Sequence, residues 1–157
     1  MLVQCYYVMP ITSATPNHEV INVLGSATIF PGEPIFHYSG IILHINAVQS
    51  ATFSGTFEGV VEVEWHIIIN GISGQMKTVG MGNFTGYMFK DTPDEKWGTF
   101  TFTTVGNGIG FNFYNEWNVI KGTDGLSNIH GKGTLSGTIS LTDTYEATYS
   151  GLVFFSP

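Results

Sequence analysis

No segment of ten or more residues in this chain has the periodicity of an amphipathic helix, so the sequence predicts strands throughout. Val, Ile, Thr, Phe and Tyr dominate the runs, and Gly, Asn, Asp, Pro and Ser dominate the breaks, as is typical of strands and turns. The candidate strands, about eight of them, are His18–Phe30, Ile35–Val48, Ala51–Asn70, Gln75–Phe89, Trp97–Val105, Ile109–Ile120, Lys132–Ser140 and Thr144–Phe155.

Short connections between these runs favour antiparallel hairpins and hence a meander. The breaks are Pro31–Pro34, Asn70–Gly74, Asp91–Lys96 and Gly106–Gly108. Glycines inside the runs would permit the bulges and coiling of a closed barrel; they include Gly25, Gly40, Gly55, Gly59, Gly86 and Gly137. The sequence therefore predicts an all-β fold, a single eight-stranded antiparallel β-barrel domain over residues 1–157. A β-sandwich is the alternative, because it would show a similar number of strands.

The charge of the chain argues against polyanionic partners. The formal net charge is −7, and the five residues counted as Lys or Arg are all lysines, scattered along the sequence. Phosphate backbones are held mainly by clustered Lys and Arg, and anionic membrane surfaces attract the same residues. We therefore expect neither nucleic acid nor a membrane as a partner.

The N-terminal sequence indicates a soluble, cytoplasmic protein. Residues Met1–Pro16 lack the basic flank and uninterrupted apolar stretch of a secretory signal, and no run approaches the ~20 apolar residues of a membrane helix. The single cysteine, Cys5, cannot form an internal disulfide and is expected to be a small apolar residue on or before the first strand.

A glycine-rich segment late in the chain carries a family resemblance. Gly122-Thr123-Asp124-Gly125-Leu126, followed by Gly131-Lys132-Gly133, resembles the turn before the penultimate strand of allene oxide cyclases and dirigent proteins. A group of bacterial barrel proteins of unknown function is more similar still, sharing Phe57-Glu58-Gly59, Met81–Gly86 and Gly122–Gly133. The resemblance covers roughly Phe53–Phe155 and implies a calycin-like barrel whose lumen holds a small hydrophobic molecule, with no cofactor. It transfers no catalytic residue to this chain.

The run Phe57–Asn70 supplies the first candidates for chemistry. Period-two alternation places apolar side chains on one face and Glu58, Glu62, Glu64 and His66 on the other. The acidic face is either the solvated exterior or part of a cavity, where desolvation would raise the pKa of a glutamate and prepare it as an acid or base. Glu64 and His66 are therefore catalytic candidates.

Glu116 is the third catalytic candidate, because it shares a strand face with Asn112, Tyr114 and Asn118. Aromatic side chains of the central strands could either fill the interior or stack on a flat ligand. The candidate ligand-binding residues are Trp65, Phe100, Phe113, Tyr114, Trp117 and Tyr145.

The histidines predict no metal site. His18, His37, His44, His66 and His130 show no chelating spacing, although strands can assemble ligands from distant positions. His37 and His44 are seven residues apart, so on an unbroken strand they would face opposite sides and could not act together.

Three functions are compatible with these patterns. The protein could be a cofactor-free cyclase or isomerase, a non-catalytic carrier or sensor, or a structural homo-oligomer with a packed interior. Low charge and abundant aromatic residues favour a homodimer or homotrimer. The content of the lumen should separate the three.

Overall fold

A computed structural model describes residues 19–140 and 142–157 of the chain. The strands are β1 (Ile21–Ile29), β2 (Ile35–Ser39), β3 (Ile42–Gly55), β4 (Phe57–Asn70), β5 (Gln75–Met88), β6 (Lys96–Ile109), β7 (Asn112–Asp124), β8 (Ile129–Thr138) and β9 (Tyr145–Phe155). No helix within these described ranges could cross a membrane. The residues Cys5 and His18, and the segment Met1–Pro16, lie outside the described part of the chain.

The strands form one antiparallel sheet that closes on itself. Its order is β1-β9-β8-β7-β6-β5-β4-β3-β2, and β1 also pairs with the second half of β3. Eight strands therefore make a closed barrel, and β2 is an additional strand. The prediction of an eight-stranded antiparallel barrel is confirmed, and a sandwich of two separate sheets is not what forms.

Side-chain alternation decides which residues fill the barrel. In β4, Val61, Val63, Trp65 and Ile67 are buried, whereas the intervening residues are exposed or half-buried. The strand β5 alternates in the same way along nearly its whole length. The acidic face of β4 is thus the solvated exterior of the barrel, because a strand presents successive side chains to opposite faces.

The prediction of continuous strands over Ile35–Val48 and Ala51–Asn70 was wrong. The chain reverses at Gly40 and Ile41, so that residues 35–39 form β2 and pair with the beginning of β3. The next reversal comes at Gly55, and β3 runs without a break through Val48–Ala51. Both glycines have positive φ, 62° at Gly40 and 109° at Gly55, which ends a strand rather than extending it.

The turn predicted at Gly106–Gly108 was also placed wrongly. Gly106 and Gly108 lie within β6, where they pair with Asn115 and Phe113 of β7. The chain turns at Gly110, whose φ is 62°. A glycine inside a strand cannot be distinguished from a glycine in a turn by sequence alone, so the pattern placed the hairpin too early.

Several glycines of the strands make room for aromatic rings. A Cβ atom at Gly82 would lie 2.4 Å from the Phe102 ring, and one at Gly80 would lie 2.8 Å from Trp65. Trp117 covers two glycines in the same way, since a Cβ would meet its Cζ2 atom at 2.5 Å from Gly133 and at 2.4 Å from Gly151. These glycines therefore allow large rings to pack flat against neighbouring strands.

Two strands share the side of β3 that faces away from β4. β1 and β2 both pair with β3, and the segment between them contains Pro31 and Pro34. The second strand extends beyond the closed part of the barrel, and all its residues are exposed. Because β2 pairs only with β3 within the described sheet, its other edge is unpaired there.

Candidate functional site

The lumen of the barrel is packed with aromatic side chains. The rings of Phe84 and Phe100 stack with centroids 4.7 Å apart, and Phe53 stacks on Tyr149 at 5.0 Å. A space of only about 20 Å³ is left. Its walls are entirely apolar: Phe53, Phe57, Phe100, Phe102, Trp117, Leu135 and Tyr149. Ligand pockets for drug-sized molecules have about 300–1,000 Å³, so the interior as it stands is a core.

The interior also contains a hydrogen-bonded polar cluster. Asn115 is completely buried; its Oδ1 accepts a hydrogen bond from Thr78 Oγ1 at 2.8 Å, and its Nδ2 donates to Thr104 Oγ1 at 3.1 Å. These three residues were not predicted, because Asn and Thr are ordinary on the outer surface of strands. Since the partners satisfy one another, the cluster stabilises the core without presenting a free group to a ligand.

Two buried tyrosines are neutral, and the hydroxyl of each is hydrogen-bonded. Tyr145 Oη donates to Gln49 Oε1 at 3.0 Å, and Tyr149 Oη lies 2.9 Å from the backbone nitrogen of Phe57, from which it accepts a hydrogen bond. Burial raises the pKa of each phenol to about 12, although the hydrogen bonds partly oppose this shift. Neither phenol ionises at neutral pH, so neither supplies a base to the lumen.

A larger concave site lies on the outside of the barrel, and we call it the outer groove. It has a volume of about 740 Å³ and runs across the outer faces of β3, β4 and β5, with the start of β2 as a wall. Its residues are Glu33, Ile35, Asn46, Ala47, Val48, Glu64, Trp65, His66, Val79, Gly80, Met81 and Thr103. The groove therefore contains two catalytic candidates and one ligand-binding candidate from the sequence.

Strand register explains how the outer groove assembles. Asn46, His66 and Val79 are direct cross-strand neighbours, and Val48, Glu64 and Met81 form the next row. The side chains of Val48, Val79 and Met81 are 51%, 50% and 52% exposed and line the groove. Exposed apolar side chains beside carboxylates and an imidazole are typical of a binding surface.

His66 is oriented by a neighbouring amide. Its Nδ1 lies 2.7 Å from Asn46 Oδ1. An amide oxygen only accepts, so Nδ1 must carry the hydrogen and donate it. The neutral ring then has an unprotonated Nε2, which is free to accept a hydrogen bond, take a proton or ligate a metal ion.

The structure separates the remaining predicted site residues. Trp65, Phe100, Phe113, Trp117 and Tyr145 are buried, whereas Tyr114 is 57% exposed on the outer face. Glu116 is exposed and is aligned with His66, but Val79 and Val105 lie between them on the two intervening strands. Three strand spacings amount to about 14 Å, so Glu116 and His66 cannot act on one reacting atom.

The inference that His37 and His44 face opposite sides was wrong. They lie on separate strands as a direct cross-strand pair, with ring centroids 6.2 Å apart. His44 also lies beside His66, with centroids 5.7 Å apart. The error follows from the missed turn at Gly40. As the side chains stand, no group of three or more His, Cys, Asp or Glu in the described ranges is arranged to hold a metal ion.

Comparison with known proteins gives a family and a fold. The model of a protein family of unknown function, DUF3224, matches residues 38–149. A crystal structure of a DUF3224 protein of unknown function from Shewanella oneidensis MR-1 is similar, with a TM-score of 0.67 and 18% identity. The alignment covers 88% of this chain and 100% of that chain. At that identity the likeness concerns the fold alone. No curated protein matches significantly, and the resemblance to allene oxide cyclases stays a prediction.

Proposed function

The chain belongs to the DUF3224 family, and we propose that it is a carrier or sensor that binds a small amphipathic cation in the outer groove. The observation that carries this proposal is the difference in volume between the lumen and the outer groove. The lumen has about 20 Å³, whereas the outer groove has about 740 Å³, within the range of small-molecule sites. The groove is therefore the better place for the ligand that the sequence predicted for the lumen.

The outer groove favours a ligand with an apolar body. Ile35, Val48, Val79 and Met81 are each at least half exposed along it. Covering such surface with an apolar group contributes about 25 cal/mol per Å². The methionine can also adjust its shape to ligands of different outline.

The charges around the outer groove favour a cationic head. Glu33 and Glu64 line it, and no lysine does so within the described ranges. The whole chain has a formal net charge of −7, which adds a long-range preference for cations. The amide of Asn46 and the imidazole of His66 provide hydrogen-bonding groups at the same surface.

A second proposal for the same groove is catalysis of an isomerisation. The hydrogen bond between Asn46 and His66 favours it, because this contact fixes the ring in the tautomer with a free Nε2. His66 would remove a proton from one carbon of a bound ligand and return it to another, so that the double bond moves and no cofactor is consumed. Glu64, on the same face of β4, would steady the charge of the imidazolium.

An NMR titration with a matched pair of compounds tests the binding proposal. Tryptamine and indole-3-acetate share the indole ring and differ in the sign of the head-group charge. We expect tryptamine to shift the amide signals of the groove strands and indole-3-acetate to bind more weakly. Shifts confined to lumen residues such as Phe100, equal binding of the two compounds, or no shifts at millimolar concentration would contradict the proposal.

Two neighbouring glutamates provide the matched variants for this titration. Glu64 lines the groove, whereas Glu62 is exposed on the same face of β4 and does not line it. We expect Glu64→Gln to weaken tryptamine binding about three- to fivefold, as is usual for an exposed ion pair. Glu62→Gln should leave the affinity unchanged. Equal losses in both variants would indicate only long-range attraction.

We further propose that the chain forms a homodimer or homotrimer. The hairpin tips at one end of the barrel support this, since Ile41, Ile72, Ile109 and Phe111 are 54%, 80%, 70% and 54% exposed. The tips are connected by backbone hydrogen bonds from Gly71 N to Ile41 O and from Gly110 N to Gly74 O. Light scattering at micromolar concentration tests the proposal, and a monomeric mass would contradict it.

A further inference from the structure

Three imidazole rings lie side by side on the outer surface of β2, β3 and β4. The centroids of His37 and His44 are 6.2 Å apart, and those of His44 and His66 are 5.7 Å apart. The rings are tilted by 50° and 39° to one another rather than stacked. His37 is exposed and the other two residues are half-buried, so the row is open to solvent on one side.

The fold places these histidines together through two strand pairings. The turn at Gly40 brings His37 opposite His44. In the β3–β4 ladder His44 pairs with Ile68, so that His66, two residues earlier, is the diagonal neighbour on the same face. All three positions lie on regular strand backbone, which limits how far the rings can separate.

We propose that His37, His44 and His66 form a binding site for a divalent transition-metal ion, with Zn²⁺ as the ion to test first. Neutral imidazole is a preferred ligand of Zn²⁺, and three such rings leave one tetrahedral position for water or another molecule. The proposal is independent of the amphipathic ligand, although the site borders the outer groove through His66.

The spacing of each neighbouring pair of rings is close to what a shared ion requires. With Zn–N bonds of about 2.0–2.1 Å, two rings on one tetrahedral ion have centroids about 5 Å apart. The observed separations of 6.2 and 5.7 Å exceed that value by roughly an ångström. His37 and His66 are at the two ends of the row, so to share an ion with His44 both rings have to rotate about χ1 and χ2 toward it and turn their nitrogens inward.

One of the three rings already has the support that metal ligands usually have. His66 Nδ1 donates to Asn46 Oδ1 at 2.7 Å, which directs the free Nε2 to the other side of the ring. Metal-binding histidines commonly donate their second nitrogen to such an oxygen. Neither His37 nor His44 has a hydrogen-bond partner among the described residues, so their nitrogens are not committed elsewhere. Glu33 and Glu64 line the same groove as His66 and add a negative potential that attracts a cation.

Titration calorimetry with Zn²⁺ and the full chain tests the site. We expect one ion to bind per chain, and His37→Ala and His44→Gln each to lower the affinity at least tenfold. The substitution His44→Gln keeps the bulk of a half-buried side chain and so guards against loss of fold. Asn46→Ala should lower the affinity about tenfold, because His66 loses its orienting partner.

The remaining histidines and the cysteine serve as controls. His130 is exposed on β8, where its Nε2 lies 3.2 Å from Ser156 Oγ, and His130→Ala should leave Zn²⁺ affinity unchanged. His18→Ala and Cys5→Ser should also leave it unchanged. Absence of Zn²⁺ binding at about 100 micromolar metal, or binding that survives the His37→Ala/His44→Gln double variant, would overturn the proposal. Loss through Cys5→Ser or His18→Ala instead would assign the ion to the N-terminal segment and overturn it too.

The two proposals can fail separately. His37 and His44 do not line the outer groove, so the double variant should retain tryptamine binding. Retained tryptamine binding together with lost Zn²⁺ binding is the expected result.

Discussion

The hydroxyl of Tyr149, in β9, lies 2.9 Å from the backbone nitrogen of Phe57, the first residue of β4. The same oxygen lies 3.2 Å from the carbonyl oxygens of Ser54 and Phe57, to either of which it donates. Gly25 makes room for the ring, because a Cβ there would lie 2.4 Å from the hydroxyl. A single side chain thus connects the reversal between β3 and β4 to β9, across the intervening strand β1.

Replacing this hydroxyl should be costly. Tyr149→Phe leaves the Phe57 amide buried without its partner, and we expect the free energy of unfolding in urea to fall by about 1–3 kcal/mol. Tyr114→Phe, at an exposed position on β7, is the control and should change stability by less than about 0.5 kcal/mol. An unchanged urea midpoint for Tyr149→Phe would mean that water replaces the hydroxyl.

Stability should fall at alkaline pH because of the buried phenols. The pKa of Tyr145 and of Tyr149 is about 12 in the folded chain, against 10.0 for an ordinary tyrosine. Their stabilising contribution is fully present below pH 10 and decreases as the pH rises from about 10 to 12, because the unfolded chain releases these protons first. Urea unfolding at pH 9, 10 and 11 measures this effect. The Tyr145→Phe/Tyr149→Phe variant should lose stability less steeply over that range, and an identical slope would contradict the assignment.

The buried amide of β7 should be essential to the core. Asn115→Ala removes the partners of Thr78 and Thr104 and leaves a small void, so we expect a loss of about 2–4 kcal/mol in thermal or urea unfolding. Asn118→Ala, on the exposed face of the same strand, provides the comparison. Similar losses at the two positions would show that the network is replaced by water.

Removing one aromatic ring from the lumen should create a cavity large enough to bind a small apolar molecule. Phe102→Ala removes a ring that borders the remaining 20 Å³. We expect a loss of about 3–5 kcal/mol and a cavity that takes up benzene, as apolar cavities of about 150 Å³ do. Thermal unfolding with and without benzene checks this: the variant should be stabilised by benzene and the unmodified chain should not. A similar benzene effect on the unmodified chain would show that its lumen opens readily.

Much of the fold could be predicted because strands carry their own signals. The alternation in Phe57–Asn70 assigns Trp65 to one face and Glu64 to the other without knowledge of any neighbour. Short breaks such as Asn70–Gly74 predict hairpins, and successive hairpins predict the antiparallel order. Where the prediction was wrong, at Gly40 and at Gly106–Gly108, a glycine inside a strand was confused with one in a turn, since only the backbone angle distinguishes the two.

The sequence by itself determined an all-β chain, an antiparallel meander and the two faces of its strands, because these depend on local propensity and on a period of two residues. Tertiary structure alone decided that the lumen is filled, that Glu116 is remote from His66, and that His37, His44 and His66 are neighbours. Those relationships depend on strand register and on the volume of rings packed against glycines. Both are set by contacts between residues distant in the chain, which no local pattern records.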